Sequence, residues 1–256
     1  MSLEYRLQGR PGGHVLVLSN SLGTTQELWD RQLPELAERF HVLTYDHPGH
    51  GASDLPERPC TVEALAHGLL ELLDELDVGR ISFCGVSLGG MVGMALALVA
   101  PERVERLVLS CTSAYLGPPE AWAQRARTVR TDGMEAIADT VVGRWFTPEF
   151  SRTEPELVAR FRAMLASTPP EGYARCCEAV DAWDARERIS AISAPALVVA
   201  GAKDPATPIE HAELVASRIP GARLQTLKRA AHLANVEQAE DFTQAVVEHL
   251  AQEVAA

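Results

Sequence analysis

Short apolar runs rich in β-branched residues alternate with amphipathic helical stretches along most of the chain, and no other feature restricts the fold as strongly. His14–Ser19, His41–Tyr45, Ile81–Cys84, Arg106–Ser110 and Ala196–Ala200 are near-continuous apolar segments. Strands that read this way are buried on both faces, which implies a parallel sheet covered by helices on both sides. Ala222–Leu227 is weaker and suits an edge, and Met1–Arg6 reads as a first strand, not a targeting segment. Between them, Val62, Leu65, Leu69, Leu72, Leu73 and Leu76 fall at helical spacing behind Thr61, a suitable N-cap. Thr207-Pro208-Ile209-Glu210 has the form of a capping box with proline at the first helical position, and Gln238–Glu253 reads as a last amphipathic helix.

The alternation breaks once. Residues 114–185 carry no strand pattern, only helical segments interrupted at Gly117-Pro118-Pro119, Gly133, Gly143 and Thr168-Pro169-Pro170. A connection of that length without structure of its own is uncommon in a compact domain. The division expected is a core of residues 1–113 and 186–256 with a helical cap of residues 114–185 laid over the sheet.

Bulk properties narrow the partners. The 256 residues suit one large α/β domain or a core with an insertion. A formal net charge of −12 argues against nucleic acid and anionic membranes. The longest apolar run, Met91–Ala100, is about half a membrane span. Five cysteines, an odd number with Cys176 and Cys177 adjacent, fit reduced thiols, and no His/Cys spacing matches a zinc site. A cytoplasmic, metal-free protein is expected.

Gly85-Val86-Ser87-Leu88-Gly89-Gly90 follows a strand and opens a helix. The bare G-x-S-x-G pattern is weak, but its context is not. A serine in a tight strand-to-helix turn needs small neighbours on both sides, and the turn projects its Oγ above the carboxyl edge of the sheet. Chemistry on such a serine needs a base and an acid, met later in the chain in the order nucleophile, acid, histidine. Asp204 follows the Ala196–Ala200 strand and His232 follows the next one, so both fall on the same sheet edge as Ser87. No acidic residue follows the Arg106–Ser110 strand directly. Ser87, Asp204 and His232 are therefore the expected catalytic triad. The other histidines precede the acid or lie on predicted helices, and Asp46, in a Gly-rich turn before the serine, reads as structural. An oxyanion hole needs the N–H after the nucleophile, which is Leu88, and a second from the loop after an earlier strand, where Leu22 is the candidate.

With these motifs in place, the chain resembles the 3-oxoadipate enol-lactonases of the α/β-hydrolase fold. The segments that carry the likeness are Leu18–Thr25 with Trp29, Asp46–Ser53, Gly85–Met91, Gly201–Pro208 and Ala231–Gln238. Asn20-Ser21 stands where many relatives have His-Gly, and Ala239 where a proline is common. The resemblance implies a mostly parallel eight-stranded sheet flanked by helices with a helical cap, and hydrolysis of a small anionic lactone through an acyl-enzyme, without a cofactor. A broad carboxylesterase or carbon–carbon bond hydrolase shares the triad, and a non-catalytic ligand receptor would use the scaffold alone. An anionic substrate entering an acidic protein needs a local cation, so the cap residues Trp122, Arg125, Arg127, Arg130, Arg144 and Trp145 are the candidate substrate contacts.

Overall fold

The computed structural model describes residues 2–55 and 60–251. Seven strands form one sheet: β1 (Tyr5–Gly9), β2 (Val15–Ser19), β3 (His41–Tyr45), β4 (Ile81–Val86), β5 (Val104–Ser110), β6 (Ala196–Gly201) and β7 (Arg223–Leu227). Their order is β1-β3-β2-β4-β5-β6-β7, and β1 alone runs antiparallel to its neighbour. Every residue of β4 and β6 is buried, as continuous apolar runs require, whereas β7 lies exposed at the edge. Among the described residues the sheet has one strand fewer than the eight that the resemblance implies.

Helices α1 (Leu33–Arg39), α2 (Val62–Glu75) and α3 (Leu88–Val99) belong to the first half of the core. Thr61 caps α2, its side chain accepting from the Ala64 N–H at 3.0 Å, an interaction worth ~1 kcal/mol. The apolar run at Met91 is accounted for by α3, buried against β2, β4 and β5. Among the described residues no helix is long and apolar enough to cross a membrane.

Between β5 and β6 stand five α-helices, a short 3-10 helix at Ile189–Ala191 and no strand of the sheet: α4 (Pro119–Asp132), α5 (Glu135–Trp145), α6 (Pro148–Thr153), α7 (Pro155–Ala166) and α8 (Pro170–Asp181). Proline opens α4, α6, α7 and α8, where its missing N–H costs no helical hydrogen bond. Gly133 ends α4 with φ 79°, but Gly143 sits inside α5 without breaking it, since neighbouring Val141, Val142 and Trp145 are buried and hold the turn. The two ends of the segment meet at the Tyr115–Asp184 bridge and at the hydrogen bond from Ala185 N–H to the Ala114 carbonyl, 2.8 Å.

The core resumes with α9 (Ile209–Arg218), α10 (Ala234–Glu237) and α11 (Ala239–Leu250). The closing helix expected from Gln238 to Glu253 is α11, preceded by the short α10 that the sequence reading did not include, and Glu253 lies outside the described residues. Because β2, β4, β6 and β7 run parallel, the loops after them open on one edge of the sheet, and the site is built there.

Candidate active site

β4 runs directly into Ser87, whose φ of 56° and ψ of −112° lie in a region that costs a non-glycine residue about 1–3 kcal/mol. The turn closes so tightly that a Cβ on Gly85 would lie 2.3 Å from the Gly89 carbonyl, and one on Gly89 2.2 Å from the Ser19 carbonyl oxygen. Glycine is therefore required at both places. The Ser87 N–H donates to the Ser110 carbonyl at 2.9 Å, and Thr112 Oγ1 donates to the Ser87 carbonyl at 2.7 Å. These bonds hold the strained turn from the β5 side, with the serine side chain turned to a cavity on the sheet edge.

His232 enters the same cavity from the loop after β7. Its Nδ1 lies 2.8 Å from Asp204 Oδ2, and both side chains are almost wholly buried. Asp204 Oδ1 accepts from the N–H groups of Ala206 at 2.7 Å and Thr207 at 3.0 Å, and Oδ2 also accepts from Thr207 Oγ1 at 2.6 Å. Burial pushes the Asp204 carboxyl up, but the facing histidine and these donors outweigh it and hold it below the usual carboxylate range. An ionised carboxylate only accepts, so His232 Nδ1 carries the proton and the Nε2 lone pair is left for the cavity. Thr207 departs from the capping box read in the sequence. α9 starts at Ile209 with Pro208 as its N-cap, so Thr207 stands one residue outside the cap position, and its hydroxyl donates to the ionised acid.

The loop after β2 lies beside the serine. Its Asn20 carbonyl accepts from the Gly89 N–H at 3.0 Å and from His47 Nε2 at 2.8 Å. Asn20 Nδ2 donates to the Tyr45 carbonyl at 2.7 Å and its Oδ1 accepts from Trp29 Nε1 at 2.9 Å. Every polar group of the Asn20 side chain is thereby occupied, so the asparagine that replaces the more familiar histidine anchors the loop instead of entering the cavity. Leu22 lines the cavity and Leu88 begins α3 directly after Ser87. Among the described residues neither backbone N–H donates to an acceptor of the chain. Burial pushes the nearby imidazoles down, His47 to about 3 and His50 to about 4, so this support is neutral.

Together with its open mouth the cavity holds about 500 Å³ of empty space. Ser21, Leu22, Ser87, Ala206 and His232 form its floor, while Leu116, Trp122, Arg125, Val141, Arg144, Trp145 and Tyr173 come from the inserted segment. Arg125 stacks over Trp122, 4.5 Å from the ring centroid, and Arg144 is exposed at the rim. Arg127 and Arg130 do not line the cavity. Arg130 donates to Glu171 at 2.7 Å and Glu178 at 2.6 Å, and Arg127 donates to Gln124 at 2.8 Å on the outer surface. Helical residues five apart point about 140° away from each other, so Arg125 and Arg130 cannot face one cavity from α4. Tyr173, buried on α8, escaped the sequence reading, since nothing in its local pattern separates a pocket tyrosine from a core one.

The remaining polar candidates lie elsewhere. Asp46 accepts from the Gln26 N–H at 2.8 Å, and its Oδ2 fills the space a Cβ on Gly51 would need, as a turn-fixing residue does. Asp184 pairs with Arg186 on the surface, and Asp181 ends α8; neither lines the cavity. His211 bonds Ser113 at 2.7 Å, His249 the Pro195 carbonyl at 3.2 Å and His14 Ser82 at 2.9 Å.

Residues 8–239 match the α/β hydrolase fold family. The 3-oxoadipate enol-lactonase 2 of Acinetobacter baylyi is 39% identical, covering 96% of this chain and 92% of its own. Among solved structures, the enol-lactonase from Burkholderia xenovorans superposes with a TM-score of 0.95 at 43% identity, covering 98% and 96% of the two chains. A thermophilic esterase from Thermogutta terrifontis, solved with malate bound, gives 0.91 at 32% identity, over 97% and 92%. With this sheet, this serine turn and relatives of this similarity, the chain belongs to the α/β-hydrolase fold family and is a carboxylic ester hydrolase akin to the enol-lactonases.

Proposed function

We propose that the protein opens 3-oxoadipate enol-lactone to 3-oxoadipate through an acyl-enzyme on Ser87. The observation that carries this reading is the makeup of the cavity, a wall of Leu22, Trp122, Val141 and Trp145 with Arg125 and Arg144 in its lining. Among the described residues neither arginine has an acidic partner, whereas Arg130, Arg162 and Arg175 on neighbouring cap helices are all paired. An apolar slot with cations at its border suits a small ring bearing a carboxylate. Residues 114–185 act as a cap that supplies this recognition.

His232 Nε2 takes the Ser87 proton as Oγ attacks the lactone carbonyl, and Asp204 stabilises the imidazolium. The Leu22 and Leu88 N–H groups receive the oxyanion. Ring opening expels an enol, a better leaving group than an ordinary alkoxide, which tautomerises to the ketone. Water activated by the same histidine then frees the product. The runner-up, a broad carboxylesterase, uses the same steps on neutral esters, and the apolar wall would serve it.

A panel assay separates the two. The purified protein should turn over the anionic enol-lactone with a higher kcat/KM than neutral esters of similar size, and Ser87→Ala should abolish both by several orders of magnitude while remaining folded. A preference for neutral esters would favour the esterase reading, and turnover by the alanine variant would remove Ser87 as nucleophile.

A further inference from the structure

The loop that carries His232 is fastened on both sides of the histidine, and both fastenings lead to the cap. The Leu233 N–H donates to the Trp145 carbonyl at 3.0 Å, and the Trp145 side chain lines the cavity. On the other side the Ala231 N–H donates to Glu237 Oε2. The second oxygen of that carboxylate accepts from Thr147, from its N–H at 2.6 Å and its Oγ1 hydroxyl at 2.8 Å. Thr147 lies two residues past Trp145 and caps α6, its hydroxyl oxygen accepting from the Phe150 N–H at 3.2 Å.

We infer that Glu237 is a positioning residue, which ties the His232 loop to the cavity wall at Trp145 so that base and substrate wall keep one geometry. The inference rests on the proposed role of His232. Three donors from two separate segments converge on one side chain, and only an acceptor with two equivalent oxygens satisfies them all. Glutamine would turn its NH2 towards one set of donors and leave that side unpaired. Aspartate, one methylene shorter, cannot span the same distance. The carboxylate does not line the cavity and touches no reacting atom, so it acts through the loop backbone on either side of the histidine.

The test uses the full chain with a neutral p-nitrophenyl ester, so that carboxylate recognition plays no part. Glu237→Gln should lower kcat by about 10- to 100-fold, the scale of a small misplacement of a catalytic group, with KM changed by less than about threefold. Thr147→Val, which keeps the N–H and loses the hydroxyl, should give a smaller loss in the same direction, and Thr147→Ser should restore it. The low-field proton resonance of the His232 Nδ1–H should broaden or shift in Glu237→Gln, a change that lowered stability alone would not produce. Wild-type kcat within about twofold in Glu237→Gln would overturn the inference. So would a loss that follows Tm while the histidine resonance stays unchanged. Labelling by a fluorophosphonate probe keeps the two ideas apart. An unlabelled wild type defeats the serine mechanism, whereas equal labelling rates in wild type and Glu237→Gln defeat the positioning role alone.

Discussion

Replacing Arg125 with alanine should separate anionic from neutral substrates. Arg125 is half-buried on α4, lines the cavity, stacks on Trp122 at 4.5 Å and has no acidic partner among the described residues. Its side-chain hydrogen-bond partner is the neutral Tyr173 hydroxyl, so no carboxylate of the described residues neutralises its charge, which can meet a substrate carboxylate in a site partly shielded from water. A charge-assisted hydrogen bond of this kind is worth about 1.5–3 kcal/mol. That corresponds to a loss of about 10- to 150-fold in kcat/KM for the anionic lactone. A neutral ester of similar size should change by less than about threefold, the residue of lost stacking on Trp122. Arg144→Ala, at the exposed rim, should show the same sign with a smaller effect, because solvent screens the charge. Arg130→Ala and Arg127→Ala serve as controls that leave both substrates unaffected, since those side chains bond Glu171, Glu178 and Gln124 away from the cavity. The assay is steady-state kinetics of each variant on the two substrates. If Arg125→Ala and Arg144→Ala both treat the two substrates alike, carboxylate recognition does not lie in the cap, and the lactonase proposal loses its main support.

Three further outcomes follow from the same geometry. Asp204→Asn should reduce kcat by about 10⁴-fold, because an amide at Oδ2 no longer enforces the Nδ1–H tautomer of His232; a loss below about tenfold would transfer the role to another acid. Gly89→Ala should yield little folded protein, as the added methyl would meet the Ser19 carbonyl oxygen at 2.2 Å; recovery of a soluble variant with wild-type Tm would contradict the packing at the serine turn. His47 and His50, pushed down to about 3 and about 4 by burial, bind protons only on unfolding, so their contribution is whole above the unfolded value of ~6.5 and is lost as pH falls from there towards about 4 for His50 and about 3 for His47. Near pH 5 the two together should steepen the fall in stability by about 3 kcal/mol per pH unit, and His47→Gln should flatten the Tm–pH curve; an unchanged slope would mean these imidazoles already carry protons in the fold.

Local chemistry was readable before any coordinates. Buried strands such as Ile81–Val86 announce themselves by unbroken apolar composition, Thr61 by its place ahead of a helical period, and the serine turn by glycines that no other residue can replace. Asp204 and His232 were legible too, because a parallel sheet sends the ends of its strands to one edge whatever the loops contain. What tertiary structure alone decided is where side chains of ambiguous segments point. Arg125 and Arg130 sit on one amphipathic helix with the same charge, and only the packing of α4 on α8 turns the first into the cavity and the second onto Glu171 and Glu178. Thr207 carries the pattern of a helix cap, yet the loop that holds Asp204 starts the helix one residue later and leaves the threonine hydroxyl to donate to that carboxylate. Tyr173 shares the cavity with Ser87 across more than eighty residues of chain, and Glu237 bonds Thr147 across 90. Such pairings arise from chain folding in three dimensions, where sequence periodicity, a property of single helices and strands, has no means of recording them.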